Sequence, residues 1–298
     1  HVHPTIEGHK ILALALVDAM ITDGLVRPGP NWSKEAIAAV TAKVNASIDR
    51  ETHGRALAGL ARVLLWAGKH EDAERLAIQA REMAGDYLQV TVDSASILSS
   101  VYAFQDRLQE AVELLYSSIE TAPGAIELRL KLGQTLLGAQ FGEMEKAAAH
   151  LLLVCQQLPH FDDPFRLLGL ALAKRNRMDT AYSVVTEALR LNPANAEARM
   201  LLNQIQPLLR GQQQANQQPP VVMLDIYPSR APRKLVQVRR DASGRPVPHG
   251  IEVEFFENGR IKRFQDVVMG KPHGKELRWD EVGNLVSTID YRQGVRIN

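Results

Sequence analysis

A chain of 298 residues with 45% hydrophobic content is long enough for two or three domains and ordinary in its capacity to bury a core. Its net charge of +1 gives no global attraction to nucleic acid or an anionic membrane, and its single cysteine, Cys155, excludes an internal disulfide and a metal site made of cysteines alone. No run of about 18 or more apolar residues is present, so nothing reads as a membrane-spanning helix.

The chain opens on His1 in what reads as the middle of a motif, so we expect a cut or processed end, with any targeting segment upstream. His3-Pro4 and Gly8-His9 lead into an amphipathic helix over residues 5–25, with Ile6, Leu12, Leu16, Met20 and Leu25 on or near one face. His-Pro-x-x-x-Gly-His before an apolar helix resembles the last block of SGNH (GDSL-type) esterases over residues 1–27. The resemblance implies His3 as a general base, oriented by an Asp that would fall immediately before His1 and serving a serine near that domain's N-terminus. The serine block and the Gly and Asn blocks of the oxyanion hole are absent. The chain as given is therefore expected to have no acyl-transfer chemistry, and any catalysis would belong to an esterase or acetyltransferase domain upstream. A plainer reading has His3 merely at a helix start. A third takes His1 as a true N-terminus, whose amine, backbone nitrogens and His3 imidazole would chelate Cu(II) or Ni(II) in a square plane.

Residues 28–53 read as a connection with one helix over 33–48, in which Ser33 is the N-cap and Ala36 stands at its third position. A repeat follows. The alanines Ala73, Ala111, Ala147 and Ala181 are 38, 36 and 34 residues apart, and Ala77, Leu115, Leu151 and Val185 come four residues after them. Pro123, Pro159 and Pro193 end the last three units, with Gly85 in that slot in the first. Upstream, each unit has a large residue before a small one: Leu60-Ala61, Leu98-Ser99, Leu132-Gly133 and Leu168-Gly169. This pattern resembles the tetratricopeptide repeat, a helix–turn–helix unit of about 34 residues. Two departures are evident. The aromatic expected early in the first helix is replaced by Leu57, Ala95, Arg129 and Phe165, and the third unit has a two-residue insertion around 140–144. Residues 194–209 read as a closing helix with a polar outer face, giving an array over 54–210.

The resemblance implies a concave groove lined by the first helix of each unit, built for a protein or peptide partner. Carried onto this sequence, its lining includes Arg55, Arg62 and Trp66, then Ser96, Ser100 and Phe104, then Glu127 and Gln134, then Arg166 and Lys174. Cations with exposed aromatics suit an extended segment bearing carboxylates.

Residues 211–220, Gly-Gln-Gln-Gln-Ala-Asn-Gln-Gln-Pro-Pro, contain nothing to anchor packing and read as a flexible linker. Beyond it the period changes to two, as in Ile251-Glu252-Val253-Glu254-Phe255, and Asn258-Gly259 is a hairpin turn signal. Gly250, Gly259 and Gly270 recur 24 residues later as Gly274, Gly283 and Gly294. This resembles the MORN-type repeat, a stack of β-hairpins, within the segment 221–298, with two copies over 249–296 and a partial one over 234–247. The basic cluster Arg230, Arg233, Lys234, Arg239, Arg240 and Arg245 has no aromatic stacking platform, so specific nucleic-acid binding is not expected. No cofactor and no resident metal are expected. The whole reads as a mainly α, helix–turn–helix repeat solenoid followed by a small antiparallel β-hairpin repeat domain, and its activity as a protein-interaction scaffold.

Overall fold

Residues 6–138, 143–209, 221–241 and 243–297 are described by a computed structural model. The chain forms two compact units, His1–Asp49 and Arg50–Asn298. In the first, helices α1 (Ile6–Thr22) and α2 (Lys34–Ala46) stand where the apolar periodicity places them. Ser33 caps α2 from an extended backbone, its Oγ accepting the Ala36 amide at 3.2 Å, which satisfies one of the amides a helix start leaves open.

The second unit opens with four helix pairs: α3 (Arg50–Trp66) with α4 (His70–Ala84), α5 (Leu88–Phe104) with α6 (Leu108–Thr121), α7 (Ile126–Gly138) with α8 (Met144–Gln157), and α9 (Asp162–Lys174) with α10 (Met178–Leu191). Helix α11 (Ala196–Ile205) and a short 3-10 turn close the array. Each stop has a local cause. The first helix of a pair ends at a left-handed residue, Gly68 (φ 73°), Asp106 (φ 61°) or Asn176 (φ 58°), five positions before the repeated alanine. The corresponding turn of the third pair, with the expected insertion, lies outside the described residues. The second helices α6, α8 and α10 end two residues before Pro123, Pro159 and Pro193. The residues between, Ala122, Leu158 and Asn192, are driven out of helical geometry by the proline ring.

The repeated alanines are fully buried where the two helices of a pair meet. The small residue opposite each pair is sized to its neighbour. A Cβ on Gly133 would stand 2.6 Å from Leu151 Cγ, and one on Gly169 would stand 2.3 Å from Val185 Cγ2. Where the facing position is itself small, as at Ala77, the first unit carries Ala61 instead, and both are fully buried.

The C-terminal part is a seven-stranded antiparallel meander in sequence order: β1 (Val221–Ile226), β2 (Pro232–Arg240), β3 (Pro246–Phe255), β4 (Ile261–Val268), β5 (Lys271–Trp279), β6 (Leu285–Arg292) and β7 (Val295–Arg296). The expected alternation holds along β3, with Ile251, Val253 and Phe255 buried and Glu252 and Glu254 on the other face. On that outer face Arg263 pairs with Glu252, with Glu254 at 3.1 Å and with Glu276 at 3.4 Å, an opposite-charge ladder across the strands.

Two features differ from the sequence reading. Strand β1 extends the expected partial hairpin, because its continuous Val-Val-Met-Leu run lacks the alternation that marks a half-buried strand. At Asn258-Gly259 only Gly259 is left-handed (φ 83°), and the register shifts at Glu254/Phe255, so the turn is a longer loop with a bulge. The tight two-residue turns with both φ positive are Met269-Gly270 and Gln293-Gly294, again 24 residues apart.

Helices and sheet share one core, to which Leu235, Val253, Phe255, Phe264 and Trp279 contribute from the strands. Asp266, at the end of β4, is held by Arg175 at 2.9 Å and Arg177 at 2.8 Å from the α9–α10 turn. Arg260 binds Glu113 of α6 at 2.8 Å and lies over the Tyr116 ring at 4.5 Å. Beside it Gly259 meets α6 so closely that a Cβ would fall 2.5 Å from Ile119 Cγ2.

Size matching between paired helices makes a measurable prediction. Gly133→Ala should destabilise by about 1 kcal/mol, overpacking strain of ~1–3 kcal/mol outweighing a helix-propensity gain of ~1 kcal/mol. In a Leu151→Ala background the same change should instead stabilise by ~1 kcal/mol, read from urea denaturation of the double-mutant cycle. An additive cycle would show that Leu151 does not dictate the glycine.

Candidate functional site

The sheet lies against α6, α8 and the α9–α10 turn, and leaves the expected groove positions on α3, α5, α7 and α9 uncovered. Their chemistry, however, is not uniform. Arg62 is paired with Asp93 of the next unit, which also accepts from Gln89 at 3.1 Å. Arg166 chelates Asp163 (2.6 and 2.9 Å) and reaches Glu197 of α11 at 2.9 Å. Lys174 donates to the Leu137 carbonyl at 2.9 Å. These three cations are engaged within the array. Arg55 and Glu127 are exposed, while Ser96 is half-buried and its carbonyl accepts from the Ser99 and Ser100 hydroxyls at 3.0 Å each.

The two aromatics are outward. Trp66 is 82% exposed and Phe104 70% exposed, and they occupy the same position in adjacent units. Phe104 stacks on His70 of α4, ring centroids 3.7 Å apart and 16° from parallel, which holds it in place without covering its other face.

Between α5 and α7 the structure brings two expected residues, Ser100 and Gln134, into one open cleft of about 400 Å³. Ser99, Asp106, Thr135 and Lys131 complete its polar lining. Lys131 is the residue that the groove reading missed. Its Nζ donates to Ser100 Oγ at 3.0 Å, and Ser100 Oγ in turn donates to the Ser96 carbonyl at 3.0 Å. Among the described residues no carboxylate lies within ion-pair distance of Nζ, and burial lowers its pKa below the ordinary lysine value. A half-buried ammonium with one neutral partner retains two open donors, which a carboxylate or carbonyl entering the cleft would satisfy. The signal was present in the repeat register: the positions matching Lys131 in the second and fourth units are the buried Ile97 and Leu167.

In the basic cluster, Arg233 pairs with Asp225, Lys234 with Glu252 at 3.0 Å, and Arg245 with Asp241 at 3.4 Å. Cys155 is buried, and burial pushes its thiol pKa well up, so it stays protonated. His1 and His3 lie outside the described residues. Among the described residues no group of three or more His, Cys, Asp or Glu is placed to hold a metal, and no helix is long and apolar enough to cross a membrane.

No protein-family model matches the chain, and no curated protein matches it. Solved structures similar to it include MamA of strain MSR-1, 24% identical over 54% of this chain and 87% of that one, with a TM-score of 0.44. MamA from Desulfovibrio magneticus RS-1, residues 41 to the end, is 17% identical over 55% of this chain and 98% of that one, with a TM-score of 0.42. The second TPR domain of human RPAP3, solved with the HSP70 peptide SGPTIEEVD, is 16% identical over 40% and 98%, with a TM-score of 0.38. With scores this low, the architecture rests on the chain's own helices.

The position of Lys131 has a consequence for stability. Lys131→Met removes an incompletely paired ammonium and keeps the aliphatic stem, so it should raise the thermal midpoint by a few degrees, equivalent to up to ~1 kcal/mol. A drop in midpoint would mean that the Lys131–Ser100 contact contributes more than desolvation costs.

Proposed function

We propose that the chain is a tetratricopeptide-type interaction scaffold that binds an extended protein segment along the first helices of its repeats, with Lys131 as the cationic anchor. The observation behind this reading is the α5–α7 cleft, where Lys131 and Gln134 present open donors to solvent beside Ser100, while the neighbouring cations Arg62, Arg166 and Lys174 are already bound. Phe104 and Trp66, held outward beyond the cleft, offer apolar faces to the same segment. The segment this lining fits bears a carboxylate or closely spaced carbonyls for Lys131 and a bulky apolar side chain for the aromatic end. The MORN-type hairpins, on this reading, brace the array from its other side and leave the groove open.

Selection from a random peptide library displayed against the whole chain tests this. Binders should be enriched in Asp or Glu together with a large apolar residue. Lys131→Met should weaken them about tenfold or more, the worth of a hydrogen bond to a charged group. Arg62→Ala and Arg166→Ala should weaken them far less. Binders indifferent to Lys131→Met but lost on Arg62→Ala would move the anchor to the first unit.

A further inference from the structure

The junction between helices and sheet encloses a group that no groove function uses. Arg129 of α7 is buried, although the same position in the other units holds Leu57, Ala95 and Phe165. Its guanidinium has no carboxylate partner among the described residues. It donates to the Pro123 carbonyl at 3.2 Å, lies 5.9 Å from the centroid of the Phe255 ring of β3, and brings Nη1 to 3.4 Å from Nδ1 of His150. His150, on α8, is 0% exposed, and its ring sits 5.9 Å from that of Phe255. Because an arginine can only donate, Nδ1 must be the acceptor, and the ring's one proton sits on Nε2, facing Tyr116 Oη at 3.4 Å.

We propose that this junction is a proton-operated latch: protonation of His150 sets a second cation against Arg129 beneath Phe255 and releases the sheet from α6, α7 and α8. The charged surroundings of His150 are one-sided. From α7 it faces Arg129, from its own helix Lys146, and from α6 the neutral Tyr116, over which Arg260 of the β3–β4 turn is stacked. Glu113 is engaged by Arg260, and Glu143 by Lys146 at 2.6 Å. From β3 the neighbour is Phe255, and at the end of β4 Asp266 is taken by Arg175 and Arg177. No carboxylate stands ready to receive an imidazolium. Burial first, then Arg129 and Lys146, hold the His150 pKa well below 6.5 while the sheet is docked. The sign follows. An undocked His150, returned to water near its ordinary pKa of 6.5, binds the proton that the docked one refuses. Docking is therefore favoured above that pH and weakened as pH falls through it.

Trp279, buried in the shared core with Lys146 of α8 at 5.7 Å from its ring centroid, reports on docking. In a chain carrying Trp32→Phe and Trp66→Phe, lowering the pH from about 7.5 to about 5 should red-shift Trp279 emission while far-UV circular dichroism keeps its helical signal. His150→Asn should abolish the shift, and Arg129→Met, which removes the opposing cation, should move it to lower pH. Trp279 emission unchanged over that range, an equal shift in His150→Asn, or loss of helix together with the shift would each overturn the latch. If His150→Asn fails to fold, Arg129→Met decides, since an unmoved transition overturns it equally.

Discussion

The close approach of two helices within each repeat is the constraint on which the other features depend. Gly133 against Leu151 and Gly169 against Val185 let the paired helices meet at distances that no larger residue permits. That spacing stacks the units in register, and register makes helices from different units present one continuous surface. A sheet of two or three isolated hairpins would be marginal in water, with one face needing apolar cover. Here that face is completed by α6 and α8, so the sheet's stability is borrowed from the packing of glycines far from it in sequence.

The junction shows how a repeat yields to a local need. Arg129 interrupts an otherwise apolar position, and Gly259 has no room for a side chain beside Ile119. Each would be a defect in an array standing alone or a hairpin in solvent. Together they form one contact, in which an arginine fills the space between an imidazole and a phenyl ring. The ion pairs at its edges, Arg260 with Glu113 and Asp266 with two arginines, fix direction and leave the apolar centre to provide most of the affinity.

What was legible in the sequence was what short-range chemistry decides. The prolines, the Ser33 cap and the 24-residue glycine period each act within a few residues of themselves. The expected groove positions could be listed from the sequence, but not which of their charges are already paired within the array. Arg62 is occupied by Asp93 and Arg166 by Glu197, partners that meet them only once successive units have stacked. Lys131 escaped notice because it stands at a position that faces inward in neighbouring units, where apolar residues are the rule. Strand β1 escaped because a run of Val-Val-Met-Leu has no alternation to read. The oddity of Arg129 was visible from the start as a departure from the repeat, and its cause lay more than a hundred residues downstream in Phe255.

Solenoids of stacked helices ordinarily behave as springs, each unit touching only its neighbours and flexing a little against them. The sheet alters this mechanics by joining α6, α8 and the α9–α10 turn to a common plate. The second, third and fourth pairs are thereby coupled beyond nearest neighbours, while the ion pairs and ring contacts described for the sheet do not reach α3 or α4. The cleft of Lys131 thus sits on the part of the array that the sheet braces, and Trp66 outside it. On the binding reading proposed above, a segment running from the first unit to the cleft would pass from the unbraced end of the array to the braced one.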